Sequence, residues 1–113
     1  MPRNMSFMLT TEQIRKRTKD VTRRVGWWTV KPGEILQAVE KCQGLKKGEK
    51  IVHICKIQVL STKAVELHEM NRSELIREGF PDMSESEFIE MFCRSHKGCT
   101  PETIVNRIEF KYL

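Results

Sequence analysis

The chain has 113 residues, a formal net charge of +5, and a composition that is 39% hydrophobic and 31% charged. A chain of this length folds as one domain and buries roughly two thirds of the surface that it exposes when unfolded, so it needs neither a metal nor a disulfide to fold. No apolar run approaches the ~20 residues of a membrane span, and residues 1–9 lack the long apolar core of a secretion signal. We therefore expect one soluble domain over residues 1–113, in the cytoplasm, with no membrane partner and with its four cysteines reduced.

Three helix starts are predicted, each from a capping residue that is followed three positions later by Gln or Glu. The pairs, in chain order, are Thr10 with Gln13, Asn71 with Glu74, and Ser84 with Glu87. The second of these helices is expected to end near Gly79 and the third near Gly98, because glycine readily adopts the left-handed conformation after a helix C-terminus.

Alternation of apolar and polar residues predicts strands at residues 51–60 and 107–113. His53 lies on the mostly apolar face of the first of these, where a buried histidine of the sheet is a more ordinary interpretation than a catalytic base. Residues 33–41 suit either a helix that ends at Gly44 or a strand that leads into the basic loop at 44–48.

Positive charge is concentrated in residues 15–31, which sum to +6 while the rest of the chain sums to −1. A cluster of this kind is a solvated surface in many proteins. It also suits a phosphate or a polar base, because arginine offers a fork of donors, lysine a point charge, and Thr22 a small donor and acceptor. Trp27 and Trp28 follow the cluster, and an exposed indole there can stack on a base, whereas the other interpretation places one of the pair in the core. The basic residues are Arg15, Lys16, Arg17, Lys19, Arg23, Arg24 and Lys31.

The spacing Lys19-x-x-Thr22-x-Arg24 after a short N-terminal helix resembles the signature of the ASCH domain, a PUA-like family of small mixed β-barrels. The resemblance extends along most of the chain, over residues 31–36, 51–60, 78–80 with the Phe88 helix, and 107–113. It implies an α+β, PUA-like (ASCH) barrel with about three flanking helices. It also implies that residues 33–41, whose pattern suits either a helix or a strand, form a strand.

The same resemblance implies two activities. ASCH domains are associated with RNA-related roles, and one branch consists of amidohydrolases that remove the acetyl group from N4-acetylcytidine. Carried over by position, the catalytic residues of that branch would be Lys19, Thr22 and Glu78. Arg23 and Arg24 would lower the pKa of Lys19, so that it could take a proton from the Thr22 hydroxyl, and Glu78 would shuttle the proton or bind the exocyclic nitrogen.

Two residues depart from the family pattern. Arg17 stands where the family has a glycine, and Asp20 replaces a small hydroxyl residue. Because Asp20 adjoins Lys19, we expect that it could pair with the lysine and hold it protonated, which would impair the chemistry of the amidohydrolase branch.

A second cluster of possible ligands is Cys93-x-x-His96-x-x-Cys99, to which Cys42 or Cys55 could add a fourth zinc ligand. The other interpretation is that Cys93 is an ordinary apolar residue on a helix. We expect no metal and no cofactor, with zinc as the alternative.

Three functions therefore remain open after the sequence is considered. The first is binding of RNA, a nucleoside or a nucleotide in a basic cleft, the second is deacetylation of N4-acetylcytidine or a related nucleoside, and the third is binding of an acidic protein. The predicted cleft residues are Lys19, Thr22 and Glu78, with Arg23, Arg24, Trp27 and Trp28 as further ligand-binding residues.

Overall fold

The structure is a computed structural model that describes residues 2–41 and 47–113. Five strands form one sheet in the order β1-β3-β4-β5-β2, in which β1 runs parallel to β3 and the other neighbours are antiparallel. The sheet curls into a half-barrel, so the predicted α+β barrel-like fold is confirmed. The strands are β1 (Arg3–Ser6), β2 (Val21–Arg24), β3 (Ile35–Val39), β4 (His53–Glu66) and β5 (Ile104–Tyr112).

The predicted strands at 51–60 and 107–113 are confirmed as parts of β4 and β5, the two longest strands. Ile57 and Val59 of β4 point into the core, as do Ile108 and Phe110 of β5. His53, however, is exposed at the first position of β4, so the buried-histidine interpretation was wrong. Residues 51 and 52 continue the same alternation, but they precede β4 and are not strand residues.

Residues 33–41 contain a strand, as the resemblance implied. β3 pairs with β1 on one side and with β4 on the other, and its Leu36, Ala38 and Val39 are completely buried. Apolar residues stand on consecutive positions of β3, because Ile35 is apolar although 41% exposed and Val39 is buried next to Ala38. This is why its periodicity did not distinguish it from a helix. Residues 44–46 of the predicted loop lie outside the described residues.

Three helices flank the sheet: α1 (Thr11–Arg15), α2 (Arg72–Glu78) and α3 (Glu85–Arg94). The predicted capping box of Ser84 and Glu87 is confirmed, and the Asn71 side chain accepts a hydrogen bond from the Glu74 amide. α1 begins directly after Thr10, as predicted, but the Thr10 side chain makes no capping hydrogen bond. A single 3-10 turn precedes α1, and Thr11 instead donates its hydroxyl to the Phe7 carbonyl.

The predicted helix ends differ in their accuracy. α2 ends at Glu78 with Gly79 in the left-handed conformation after it, as expected. α3 ends at Arg94, four residues before Gly98, and Ser95 follows it with right-handed dihedral angles.

Two apolar clusters form the core, and the candidate site lies between them. The first fills the half-barrel, and the second joins α2 and α3 to the far ends of β4 and β5. The buried residues of the first are Met5, Phe7, Ile14, Val30, Leu36, Ala38, Ile57, Val59, Ile108 and Phe110. Those of the second are Val65, Leu67, Leu75, Phe88, Phe92 and Val105.

No helix within residues 2–41 and 47–113 combines the length and the apolar character that crossing a membrane would require.

Candidate functional site

Four of the predicted site residues are among the buried polar side chains of the described chain. Those side chains are Thr10, Lys19, Thr22, Arg23, Glu78 and Asn106. Charged groups are almost never buried in a domain of this size unless they are paired. The concentration of buried charge beside β2 therefore needs the partners described below.

Lys19 and Glu78 form a buried ion pair, and each is only 2% exposed. Lys19 Nζ donates one hydrogen bond to the Glu78 carboxylate at 2.9 Å and another to the Glu78 carbonyl oxygen at 2.7 Å. Because an ammonium group has three hydrogens, one N–H remains beyond these two bonds. The resemblance implied that Lys19 and Glu78 share one site, and in the structure the two side chains are in direct contact.

The packing of α1 against the end of α2 brings the two residues together. Gln13 Nε2 donates to the Gly79 carbonyl at 3.0 Å, and the Asp20 amide donates to the Arg77 carbonyl at the same distance. Gly79 has a φ of +98°, and a Cβ at this position would lie 2.9 Å from Gln13 Cγ. Glycine is therefore required here both by the backbone conformation and by the close approach of α1.

Arg23 shares the Glu78 carboxylate and links it to a second one. Its Nη1 donates to Glu78 at 3.1 Å and its Nη2 to Glu74 at 2.7 Å, while Glu74 also accepts two bonds from Arg107 on β5. The two bonds from Arg107, followed by the one from Arg23, lower the pKa of Glu74 to about 2. Arg23 Nε is buried and makes no hydrogen bond within residues 2–41 and 47–113.

The cleft predicted to be basic thus has its most buried cations, Lys19 and Arg23, paired with carboxylates. Neutralisation of this kind is what allows lysine and arginine to be buried.

Burial lowers the pKa of the Lys19 ammonium below its ordinary value. Glu78 opposes this shift through its charge and its hydrogen bond, whereas Arg24 and Arg23 add to it. The predicted direction of the shift agrees with this result, but its main cause is loss of hydration rather than crowding by the arginines.

Asp20 does not pair with Lys19, and that prediction was wrong. Its carboxylate accepts two hydrogen bonds from Arg77, at 3.0 and 3.1 Å, and Arg77 also contacts Glu109 of β5 at 2.9 Å. Consecutive residues of an extended chain point to opposite sides, so Asp20 faces away from its neighbour. The aspartate that departs from the family pattern forms a partly exposed ion pair with Arg77, and Lys19 remains paired with Glu78.

Thr22 and Arg24 contact each other on β2. Arg24 Nε donates to the Thr22 hydroxyl oxygen at 3.0 Å, and Arg24 Nη2 donates to the Ser6 carbonyl at 2.7 Å. The guanidinium carbon lies 4.8 Å from the centre of the Phe7 ring. Thr22 therefore lies beside a fixed positive charge, which would stabilise negative charge on its oxygen.

A cavity of about 360 Å³ adjoins these groups. Its lining combines the predicted polar residues with apolar side chains from both core clusters. The polar lining residues include Lys19, Thr22, Arg23, Arg24, Glu78 and His96, and the apolar ones include Phe7, Met8, Leu9, Phe80, Phe88, Met91 and Phe92. The volume lies within the range of small-molecule pockets, and a mostly apolar lining with a few polar groups is typical of them.

No family model and no curated protein matches the sequence. Among solved structures, the chain is similar to an ASCH domain from Lactobacillus crispatus, with a TM-score of 0.65 and 16% identity over 92% of this chain and 70% of that one. It is also similar to a DUF984 protein from Enterococcus faecalis, with a TM-score of 0.65 and 12% identity over 100% of this chain and 80% of that one. This chain has the ASCH fold. At sequence identities of 12% and 16%, the similarity shows the fold alone.

In this chain neither tryptophan lines the cavity. Trp27 packs against the first core cluster under the guanidinium of Arg3, and its carbonyl accepts a bond from Asn106. Trp28 is 53% exposed. The prediction that one of the pair belongs to the core agrees with Trp27, and Trp28 is placed to bind a ligand only at some other surface.

The cysteines and His96 are arranged differently from the zinc alternative. Cys93 and Cys99 are joined in a disulfide, so they are not the reduced thiols that we expected. Their Cα atoms are 4.9 Å apart because the chain turns back after α3, within the range that a disulfide spans. In the described residues no group of three or more His, Cys, Asp or Glu side chains is arranged to hold a metal ion, and Cys42 lies outside these residues.

The roles of two residues near the cavity, Glu74 and His96, were not predicted from the sequence. Glu74 was predicted only as a capping partner, although its carboxylate connects Arg23 with Arg107. His96 was considered as a zinc ligand, whereas it lines the cavity. The spacing of Glu74 and Glu78, one helical turn apart, was the signal that could have placed both carboxylates on one face of α2.

Proposed function

We propose that the protein binds a nucleobase or nucleoside, either free or at an unpaired position of RNA, in the cavity beside Lys19 and Glu78. The observation that carries this proposal is a buried ammonium–carboxylate pair in the wall of a cavity whose other walls are aromatic and aliphatic. Base edges present donors and acceptors side by side, and an adjacent ammonium and carboxylate can match both.

The charges of the site favour a base over a phosphate. Glu78 already shares its charge between Lys19 and Arg23, and Glu74 binds Arg23 from the other side. A phosphate in the cavity would meet the Glu78 carboxylate as well as the cations, whereas a neutral base needs only directed hydrogen bonds. The third N–H of Lys19 and the spare lone pairs of the Glu78 oxygens can supply them.

The aromatic side chains of the lining favour a planar ligand. Phe7, Phe80 and Phe88 contribute aromatic rings to the cavity. Stacking on such rings contributes roughly 1–3 kcal/mol for each base in single-stranded nucleic acid complexes. A base that enters from RNA must leave its own stack, so unpaired positions are the favoured targets.

Deacetylation of N4-acetylcytidine is the second candidate, and the contact of Arg24 with Thr22 favours it. In this mechanism the Thr22 oxygen attacks the acetyl carbonyl carbon while neutral Lys19 takes the hydroxyl proton. The carbon–nitrogen bond then breaks, the cytidine nitrogen receives that proton, and water releases acetate from Thr22. The lowered pKa of Lys19 favours the neutral amine that the first step needs.

Titration calorimetry with cytidine, uridine, adenosine, guanosine and N4-acetylcytidine tests the proposal. We expect at least one nucleoside to bind the unmodified protein. The double variant Lys19→Met/Glu78→Leu should bind it at least tenfold more weakly, because both members of the pair are replaced. Arg15→Ala, which changes an exposed side chain, is the matched control. Replacement of both partners avoids leaving one buried charge unpaired, and unfolding curves check that the variant folds.

Release of acetate separates the two candidates. A hydrolase should release it from N4-acetylcytidine, and Thr22→Val should abolish the release while the nucleoside still binds. A binding protein should release none. Failure of every nucleoside and of an unpaired RNA to bind the unmodified protein would refute both candidates.

A further inference from the structure

His96 lines the cavity, but neither candidate function above gives it a role. It follows α3, and its ring stacks on Phe92 with the ring centres 4.3 Å apart and the planes 16° from parallel. It also lies in the short loop that the Cys93–Cys99 disulfide closes. The stacking and the closed loop together hold the imidazole in one orientation.

One ring nitrogen of His96 is already used. Nδ1 lies 2.8 Å from the Phe92 carbonyl oxygen, and a carbonyl can only accept a hydrogen bond. Nδ1 therefore carries the hydrogen, and in the neutral ring Nε2 is an unprotonated acceptor. Within residues 2–41 and 47–113 no hydrogen bond to Nε2 is found.

Such an acceptor differs from the other polar groups of the cavity. Lys19, Arg23 and Arg24 are donors, and the Glu78 carboxylate, which keeps spare lone pairs, is a charged acceptor that already binds two cations. A neutral ring nitrogen accepts a hydrogen bond without attracting cations strongly. It thus adds a second, uncharged acceptor to the site and selectivity for a ligand that presents a further donor there.

We infer that His96 Nε2 accepts a hydrogen bond from an N–H or O–H group of the bound nucleobase or nucleoside, and that His96 is a specificity-determining residue of the site. The inference rests on the proposed function, and it names the class of ligand more narrowly: bases or nucleosides with a donor directed at the loop after α3.

Nitrogen-15 NMR of the histidine rings directly tests whether His96 carries its hydrogen on Nδ1. The chain has three histidines, and His53 and His68 are exposed and outside the cavity lining. We expect His96 to show the Nδ1–H tautomer. Addition of cytidine or N4-acetylcytidine should shift its Nε2 resonance and leave those of His53 and His68 in place. Detection of the Nε2–H tautomer at His96 would overturn the inference without any ligand.

Two variants test the contribution to affinity. His96→Phe keeps a ring that can stack on Phe92 but removes both nitrogens, and His96→Gln keeps an acceptor. We expect His96→Phe to weaken nucleoside binding roughly two- to tenfold, as loss of one hydrogen bond does, and His96→Gln to weaken it less.

The outcomes separate this inference from the proposed function. If a nucleoside binds the unmodified protein and binds His96→Phe equally well, the role of His96 is refuted and the proposed function remains. If no nucleoside binds the unmodified protein, calorimetry shows the loss of the proposed function, and the inference falls with it.

Discussion

Arg24 Nη2 donates a 2.7 Å hydrogen bond to the main-chain carbonyl of Ser6. This bond joins β2 to β1, the two edge strands of the sheet, which are not neighbours in the strand order. The same guanidinium holds the Thr22 hydroxyl and lies over the Phe7 ring. The arginine of the sequence motif thus connects the open edges of the half-barrel.

Replacement of Arg24 by lysine should therefore destabilise the fold. Lysine keeps the charge but cannot bond Ser6 and Thr22 with two nitrogens of one planar group. We expect a loss of about 1–3 kcal/mol in the free energy of unfolding, measured with urea. Arg94→Lys, at an exposed position near the end of α3, is the matched control. Equal stabilities of the two variants would show that the bridge between the strands contributes nothing.

Gly79→Ala should be much more harmful than Gly98→Ala. Both glycines have positive φ values, +98° and +76°, so alanine is strained at either position at a cost of about 1–2 kcal/mol. Only at Gly79 would the new Cβ meet another side chain, Gln13. The difference between the two unfolding free energies therefore measures the packing of α1 on α2. Identical losses would mean that Gln13 moves away freely.

Glu74 should make the protein sensitive to acid. Its pKa is lowered to about 2 in the folded protein from an ordinary value of 4.5, so its contribution is complete above pH 4.5 and is lost as the pH falls toward 2. Unfolding curves of Glu74→Gln should accordingly show a smaller loss of stability over this range than those of the unmodified protein. Glu90→Gln, an exposed position on α3, should follow the unmodified protein. A parallel decline for all three proteins would contradict the assignment.

Tyr112 offers an optical measurement, because it is the one tyrosine of the sequence. Burial raises its pKa from 10.0 to about 12, and its hydroxyl donates to the Lys19 carbonyl. The ultraviolet absorbance of phenolate should therefore rise near pH 12 in the folded protein and near pH 10 in urea. Since the unfolded chain loses this proton first, stability should fall as the pH rises from 10 toward 12. A folded-state midpoint near 10 would contradict the half-buried placement of the Tyr112 side chain.

Local patterns predicted those parts of the structure that depend on neighbours in the chain. The Ser84 capping box and the Gly79 helix end each involve residues within one helical turn. Contacts over long sequence separations needed the resemblance: Lys19 and Glu78 are 59 residues apart, and nothing in their local sequences joins them.

Two of the predictions that the structure does not bear out concern hydrogen-bond partners that are selected only in the folded chain. Asp20 is beside Lys19 in sequence, but the strand geometry directs it toward Arg77. Thr10 stands at the N-cap of α1 with Gln13 three positions on, but its amide donates to the Phe7 carbonyl and the Gln13 side chain donates to the Gly79 carbonyl. In both cases the local pairing is absent, and the side chain of one member, Asp20 or Gln13, bonds a residue distant in the sequence.

Glu78 is the final residue of α2, and Lys19 donates to its main-chain carbonyl as well as to its carboxylate. The lysine therefore neutralises the negative end of that helix dipole from outside the helix. A ligand that drew the ammonium toward itself would weaken this interaction, and one that held it in place would strengthen it. Ligand affinity and fraying of the last turn of α2 are thus thermodynamically linked, so hydrogen exchange at those amides would report on occupancy of the cavity.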